Sequence, residues 1–140
     1  MSVEQLGLFG RASLNTTTRL KDAMRVALKD CGLSRDQVVD EMNSLADREG
    51  ITPAGRAKQV ATVEMLDKWV STADNIIPLK LLPVFCHVTK SVAPLAALAE
   101  PLRARVIGYE DVLLLTWAET EKKSRLLRKQ KRQLEMEIGI

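Results

Sequence analysis

The chain is poor in aromatic side chains and nearly without histidine. Aromatics make up 4% of its 140 residues, so the core that a 46% hydrophobic content can build is an aliphatic one. A single histidine, His87, excludes a Cys/His zinc set. The two cysteines, Cys31 and Cys86, share no metal spacing. Reduced thiols in a cytoplasmic protein are expected. No apolar run approaches the length of a membrane span. The opening "MSVEQLGLFG" has neither the basic region nor the apolar stretch of an export signal. No phosphate-cradling glycine loop or nucleophile elbow occurs. No cofactor, metal or small-molecule substrate is implied, and a non-enzymatic protein is expected. The net charge of +3 and pI near 9.0 are mildly basic and compatible with a phosphate-bearing partner.

What is present is helical periodicity. Residues 1–16 read as a flexible leader. In the first helix, Leu20, Ala23, Met24, Ala27, Leu28 and Cys31 recur as one face, with Thr17 or Thr18 as cap and Gly32 as terminator. A second helix opens at Ser34, whose capping box closes with Gln37, and buries Val38, Val39, Met42 and Leu45. Residues 46–61, "ADREGITPAGRAKQVA", hold two glycines and a proline without a period and predict an irregular excursion. Thr62 caps a third helix with Val63, Leu66, Trp69 and Val70 inward. A fourth begins at Pro78, with Leu81, Leu82, Phe85 and Val88 on its apolar face. Pro83 either kinks it or delays its regular start. A fifth begins at Pro94, with Leu95, Leu98, Ala99 and Leu102 on one side, and Pro101 frays its end.

From Tyr109 to Ile138 neither proline nor glycine interrupts. Leu113, Trp117, Thr120, Ser124, Leu127, Lys131, Leu134 and Ile138 alternate in steps of four and three, a heptad spacing. The oligomerisation seam is assigned to Leu113, Trp117, Leu127, Leu134 and Ile138. The segment "KKSRLLRKQKR" carries Lys122, Lys123, Arg125, Arg128, Lys129, Lys131 and Arg132 without an acid. Two readings of it stand open. It is a secondary basic patch for phosphates, with steep salt dependence, or a solvated coiled-coil flank.

The segments "LKDAMRVALKDCGLSRDQVVDEM" and "TVEMLDKWVSTADNIIPLKLLPVFCHVTKS" resemble the lambda-repressor-like helix-turn-helix domain. The longer run through "SVAPLAALAE", followed by a glycine and a charged helix, is similar to small regulatory proteins of Mu-like prophages. The resemblance implies an all-α fold. Residues 17–107 would form a five-helix domain with an insertion between helices 2 and 3. Residues 108–140 would add a long helix that joins protomers. It also implies a regulator of transcription that binds double-stranded DNA as a homo-oligomer.

In such a domain the third helix presents its first turns to base edges. The candidate DNA contacts are Thr62, Glu64, Met65 and Lys68 on that helix, with Arg56, Lys58 and Gln59 in the insertion. Glu64 and Asp67 oppose phosphates. They favour a rival reading, an oligomeric scaffold whose degenerate helix no longer reads bases. Adjacent Cys86 and His87 point about 100° apart on a helix and make a poor catalytic pair. Asp36, Asp40 and Glu41 read as acids favoured by the amino end of their helix. Trp69 reads as a core anchor and Trp117 as an interhelix contact.

Overall fold

The computed structural model describes residues 13–71 and 74–139. Among these residues there are six α-helices and no strand. The chain falls into two units, one ending at Val106 and the other starting at Ile107.

Helix α1 spans Thr17–Asp30. Its N-cap is Thr16, which makes no side-chain cap bond; neither Thr17 nor Thr18 caps it. Asn15 instead accepts from the Thr17 amide at 3.3 Å. Gly32, at φ +76°, ends the helix in the left-handed region that a side chain would strain. Helix α2 spans Arg35–Arg48. Ser34 accepts from the Gln37 amide at 3.2 Å, and the Gln37 side chain accepts from the Ser34 amide at 2.9 Å, the expected box. The helix runs past Leu45, because Ala46 adds a further buried position to its stripe. The irregular excursion therefore covers residues 49–62 rather than 46–61.

Helix α3 spans Val63–Val70 and is capped by Thr62. Pro78 does not open an α-helix. It precedes a 3-10 turn, Leu79–Leu81, and helix α4 runs Leu82–Thr89 with Pro83 in its first turn. Pro83 thus delays the helix instead of bending it, since a first-turn residue has no intrahelical acceptor for its amide and a proline there forfeits no helix bond. Helix α5 runs Ala93–Ala99 and passes into a 3-10 turn, Glu100–Leu102. Leu102 is exposed there, not part of the packed side.

In this unit α1 packs on α5, α2 packs on α4, and α3 touches both α1 and α2. Phe85, Met24, Met42, Leu66, Leu81 and Val38 are fully buried at its centre. Each such side chain contributes about 1.5–3 kcal/mol relative to exposure. Leu66 and Trp69 anchor α3 in that core.

A buried cation also belongs to it. Lys21 is only 4% exposed, and its ammonium donates to the carbonyls of Lys68 at 3.0 Å, Trp69 at 3.0 Å and Asn75 at 2.5 Å. One turn on, Arg25 donates to the carbonyl of Val70 and pairs with Asp22. The last carbonyls of a helix lack intrahelical donors and carry its negative dipole end, so two cations from α1 close the end of α3. Burial, then the neighbouring Arg25, pushes the Lys21 ammonium below its ordinary pKa, while Asp74 works the other way.

The second unit is helix α6, Tyr109–Ile138, with the bounds expected from the absence of breakers. Gly108 caps it and Gly139 ends it, and none of its described residues is buried. None of the described helices is long and apolar enough to cross a membrane.

Replacing Lys21 by Met keeps the apolar stem but strands these carbonyl acceptors. The variant should lose about 2–4 kcal/mol of unfolding free energy in urea, the scale of leaving buried polar groups without partners. A loss no larger than that of an exposed Lys29→Met control would remove Lys21 from the fold's essential contacts.

Candidate nucleic-acid interface

The surface around α3 starts with the insertion that leads into it. Gly50, at φ +72°, turns the chain off α2, and the Ile51 amide donates back to Ala46 at 2.8 Å. Ile51 packs against the core. The Lys80 ammonium holds the Thr52 carbonyl at 2.7 Å. A second turn follows, with the Ala57 amide donating to Ala54 at 3.2 Å. Val60 and Ala61 then return to the core.

Asn43 in mid-α2 makes the decisive contact of this segment. Its amide nitrogen donates to the Ala61 carbonyl at 2.9 Å, and its amide oxygen accepts from the Ala61 amide at 3.0 Å. A side-chain amide presents a donor and an acceptor side by side, so it satisfies both polar groups of one buried residue. The chain therefore enters Thr62 from a fixed point. The Thr62 hydroxyl accepts from the Met65 amide at 3.2 Å and starts the helix. Asp67 pairs with Arg35, tying the outer side of α3 to the first residue of α2. Both partners are about half exposed, so this pair orients more than it stabilises.

The structure divides the candidate contact residues into groups. Glu64 and Lys68 are exposed one helical turn apart on α3. Thr62 and Met65 are half-buried. The Thr62 hydroxyl is occupied as the cap, and Met65 packs against the core, so Met65 is a supporting residue instead of an outward one. Arg56, Lys58 and Gln59 are exposed in the insertion. Lys58 and Gln59 line a cleft of about 320 Å³ against Asn43, Ser44 and Asp47 of α2, and Arg56 lies outside it.

Within α6, Glu121 is 3.1 Å from Arg125 and 3.7 Å from Arg128, and Lys131 is 3.9 Å from Glu135. Lys122, Lys123, Lys129 and Arg132 are exposed, with no ion pair among the described residues. The seam residues Leu113, Trp117, Leu127, Leu134 and Ile138 are all more than half exposed.

The other chemical candidates separate. Cys86 is buried, and burial pushes its thiol up, away from the reactive thiolate. His87 is exposed beside it. Asp36, Asp40 and Glu41 are exposed on α2, and no metal-binding group of three or more ligands occurs among the described residues.

Sequence reasoning missed Lys21, Arg25 and Asn43, the residues that place α3. A signal existed for two of them. Lys21 stands three residues before Met24 and seven before Leu28, on the buried stripe, and Asn43 stands four after Val39 and three before Ala46 on that of α2.

Compared with protein-family models, curated protein sequences and solved structures, the chain matches none.

Changing Asn43 to Ala removes both bonds to Ala61 and should cost about 1–3 kcal/mol, as for other buried backbone groups left unpaired. Hydrogen exchange at the amides of residues 60–65 should rise ahead of global unfolding. Unchanged protection there would show that the cap at Thr62 holds the segment alone.

Proposed function

We propose that this chain is a phage-type transcriptional regulator that binds duplex DNA as a homo-oligomer, acts in the cytoplasm and carries out no catalysis. In this reading residues 17–107 are a lambda-repressor-like domain. Helices α2 and α3 are its helix-turn-helix pair, parted by the insertion at 49–62. One observation carries the proposal: α3 is fastened at both ends by side chains from α1 and α2, while Glu64, Lys68 and the insertion cations stay exposed. A reading helix has to be held rigidly by one face and leave the other to the groove. In this reading Lys68 donates to a guanine edge or a phosphate, and Glu64 accepts from a cytosine amine. Arg56, Lys58 and Gln59 add contacts to the backbone, and the α6 cations add sequence-independent attraction.

A scaffold that docks another protein is the second reading. The carboxylates of Glu64 and Asp67 on the exposed side of α3 favour it, although Asp67 is already neutralised by Arg35.

Fluorescence anisotropy with duplexes from the DNA flanking the coding gene, against scrambled duplexes over a salt series, decides between them. A preference for one flanking duplex is expected. Lys68→Ala should weaken that complex by roughly 5- to 100-fold, the size of one base contact, and leave scrambled DNA nearly unchanged. Equal binding to all duplexes that vanishes with salt would reduce the function to non-specific contact. No binding at low salt would leave the scaffold. Thr62 is unsuited to this test, because its replacement uncaps α3.

A further inference from the structure

Helix α6, 30 residues long, places its apolar side chains in water. A helix in that condition gains its stability from a partner. We propose that α6 pairs with α6 of a second copy of this chain as an antiparallel two-stranded coiled coil, with Leu113 across from Ile138 and Trp117 across from Leu134. The proposal rests on the homo-oligomeric part of the reading above and adds orientation and register.

Three cations at or beside the seam decide the direction. In a parallel, in-register pair every seam residue meets itself. Lys131 then faces Lys131 inside the interface, and the flanking positions bring Lys123 against Arg128. Reversing one helix keeps the same seam and pairs it without a remainder. Leu113 meets Ile138, Trp117 meets Leu134, Thr120 meets Lys131, and Ser124 meets Leu127. Large apolar pairs close both ends, and Lys131 meets a hydroxyl side chain instead of its own charge. On the flanks Glu121 faces Arg128 and Lys123 faces Gln130.

Glu121 is already drawn toward Arg125 and Arg128 along its own helix, which directs its carboxylate along that flank. Lys122, Arg125, Lys129 and Arg132 fall on the outer positions of the heptad. The pairing leaves them to solvent or to phosphates. The polar middle, Thr120, Ser124 and Lys131, lowers stability but rejects registers that would set Lys131 against a leucine. The helix is about 45 Å long at 1.5 Å per residue. The two chains then enter the rod from opposite ends.

Full-length chains carrying Thr120→Cys or Lys131→Cys, separately tagged and co-expressed, test this after nuclease treatment and mild oxidation. Neither substitution removes an apolar contact, and wild-type chain sets the background from Cys31 and Cys86. Light scattering should report a dimer. A disulfide should join the Thr120→Cys chain to the Lys131→Cys chain, and neither variant should cross-link to itself. In the antiparallel register the two Thr120 positions are about 16 Å apart, beyond disulfide reach. The pair Leu113→Cys and Ile138→Cys should repeat the result at the other layer. Self-cross-linking of Thr120→Cys would overturn the orientation and leave the homo-oligomer standing. A monomer would overturn both, and DNA binding would still be judged by the anisotropy titration. Association that disappears with nuclease would mean that nucleic acid, not a second copy, covers α6.

Discussion

The ammonium of Lys21, sunk against the last carbonyls of α3, is the contact on which the arrangement of the first unit depends. An eight-residue helix has too few internal bonds to persist alone in water. Hydrophobic burial of Leu66 and Trp69 holds it near the core but is not directional. Direction comes from polar groups at its ends: Lys21 and Arg25 at one, Thr62 and the Asn43 grip on Ala61 at the other. The anchors come from α1 and α2, so the pose of α3 is inherited from the packing of those two longer helices.

Much of the fold was legible because its signals are local. The Ser34–Gln37 box, the Gly32 terminator and the Thr62 cap each lie within a few residues, the run from Tyr109 to Ile138 is marked by the absence of breakers, and each stands where the sequence puts it. The anchors were not legible in the same way. Lys21 meets residues 47 to 54 positions away, and Asn43 meets one 18 positions away. A charged or amide side chain on an apolar stripe shows that a partner is needed, without showing which. Pro78 misled because its fixed φ suits both a helix start and the entry to a 3-10 turn. Met65 misled because it lies beside the buried stripe of a short helix, where its side chain still packs against the core.

The two units solve the problem of apolar surface differently. In the first, burial is complete enough that no described buried side-chain nitrogen or oxygen lacks a partner. In the second, nothing is buried, and ion pairs along the helix such as Arg125–Glu121 are solvent-exposed and weak. The described heptad seam thus lies wholly within the second unit.

The insertion at 49–62 has a further consequence for how such a chain can change. Core packing at Ile51, Val60 and Ala61, with the bonds to Thr52 and Ala61, holds it, and those bonds run through backbone atoms. Residues 54–59 between them are all exposed. That hexapeptide is a cassette: apart from Gly55, whose φ of +59° a side chain would strain, mutation there leaves the scaffold standing. Sequence change there costs little stability, whereas the helix behind it can change only together with its distant anchors.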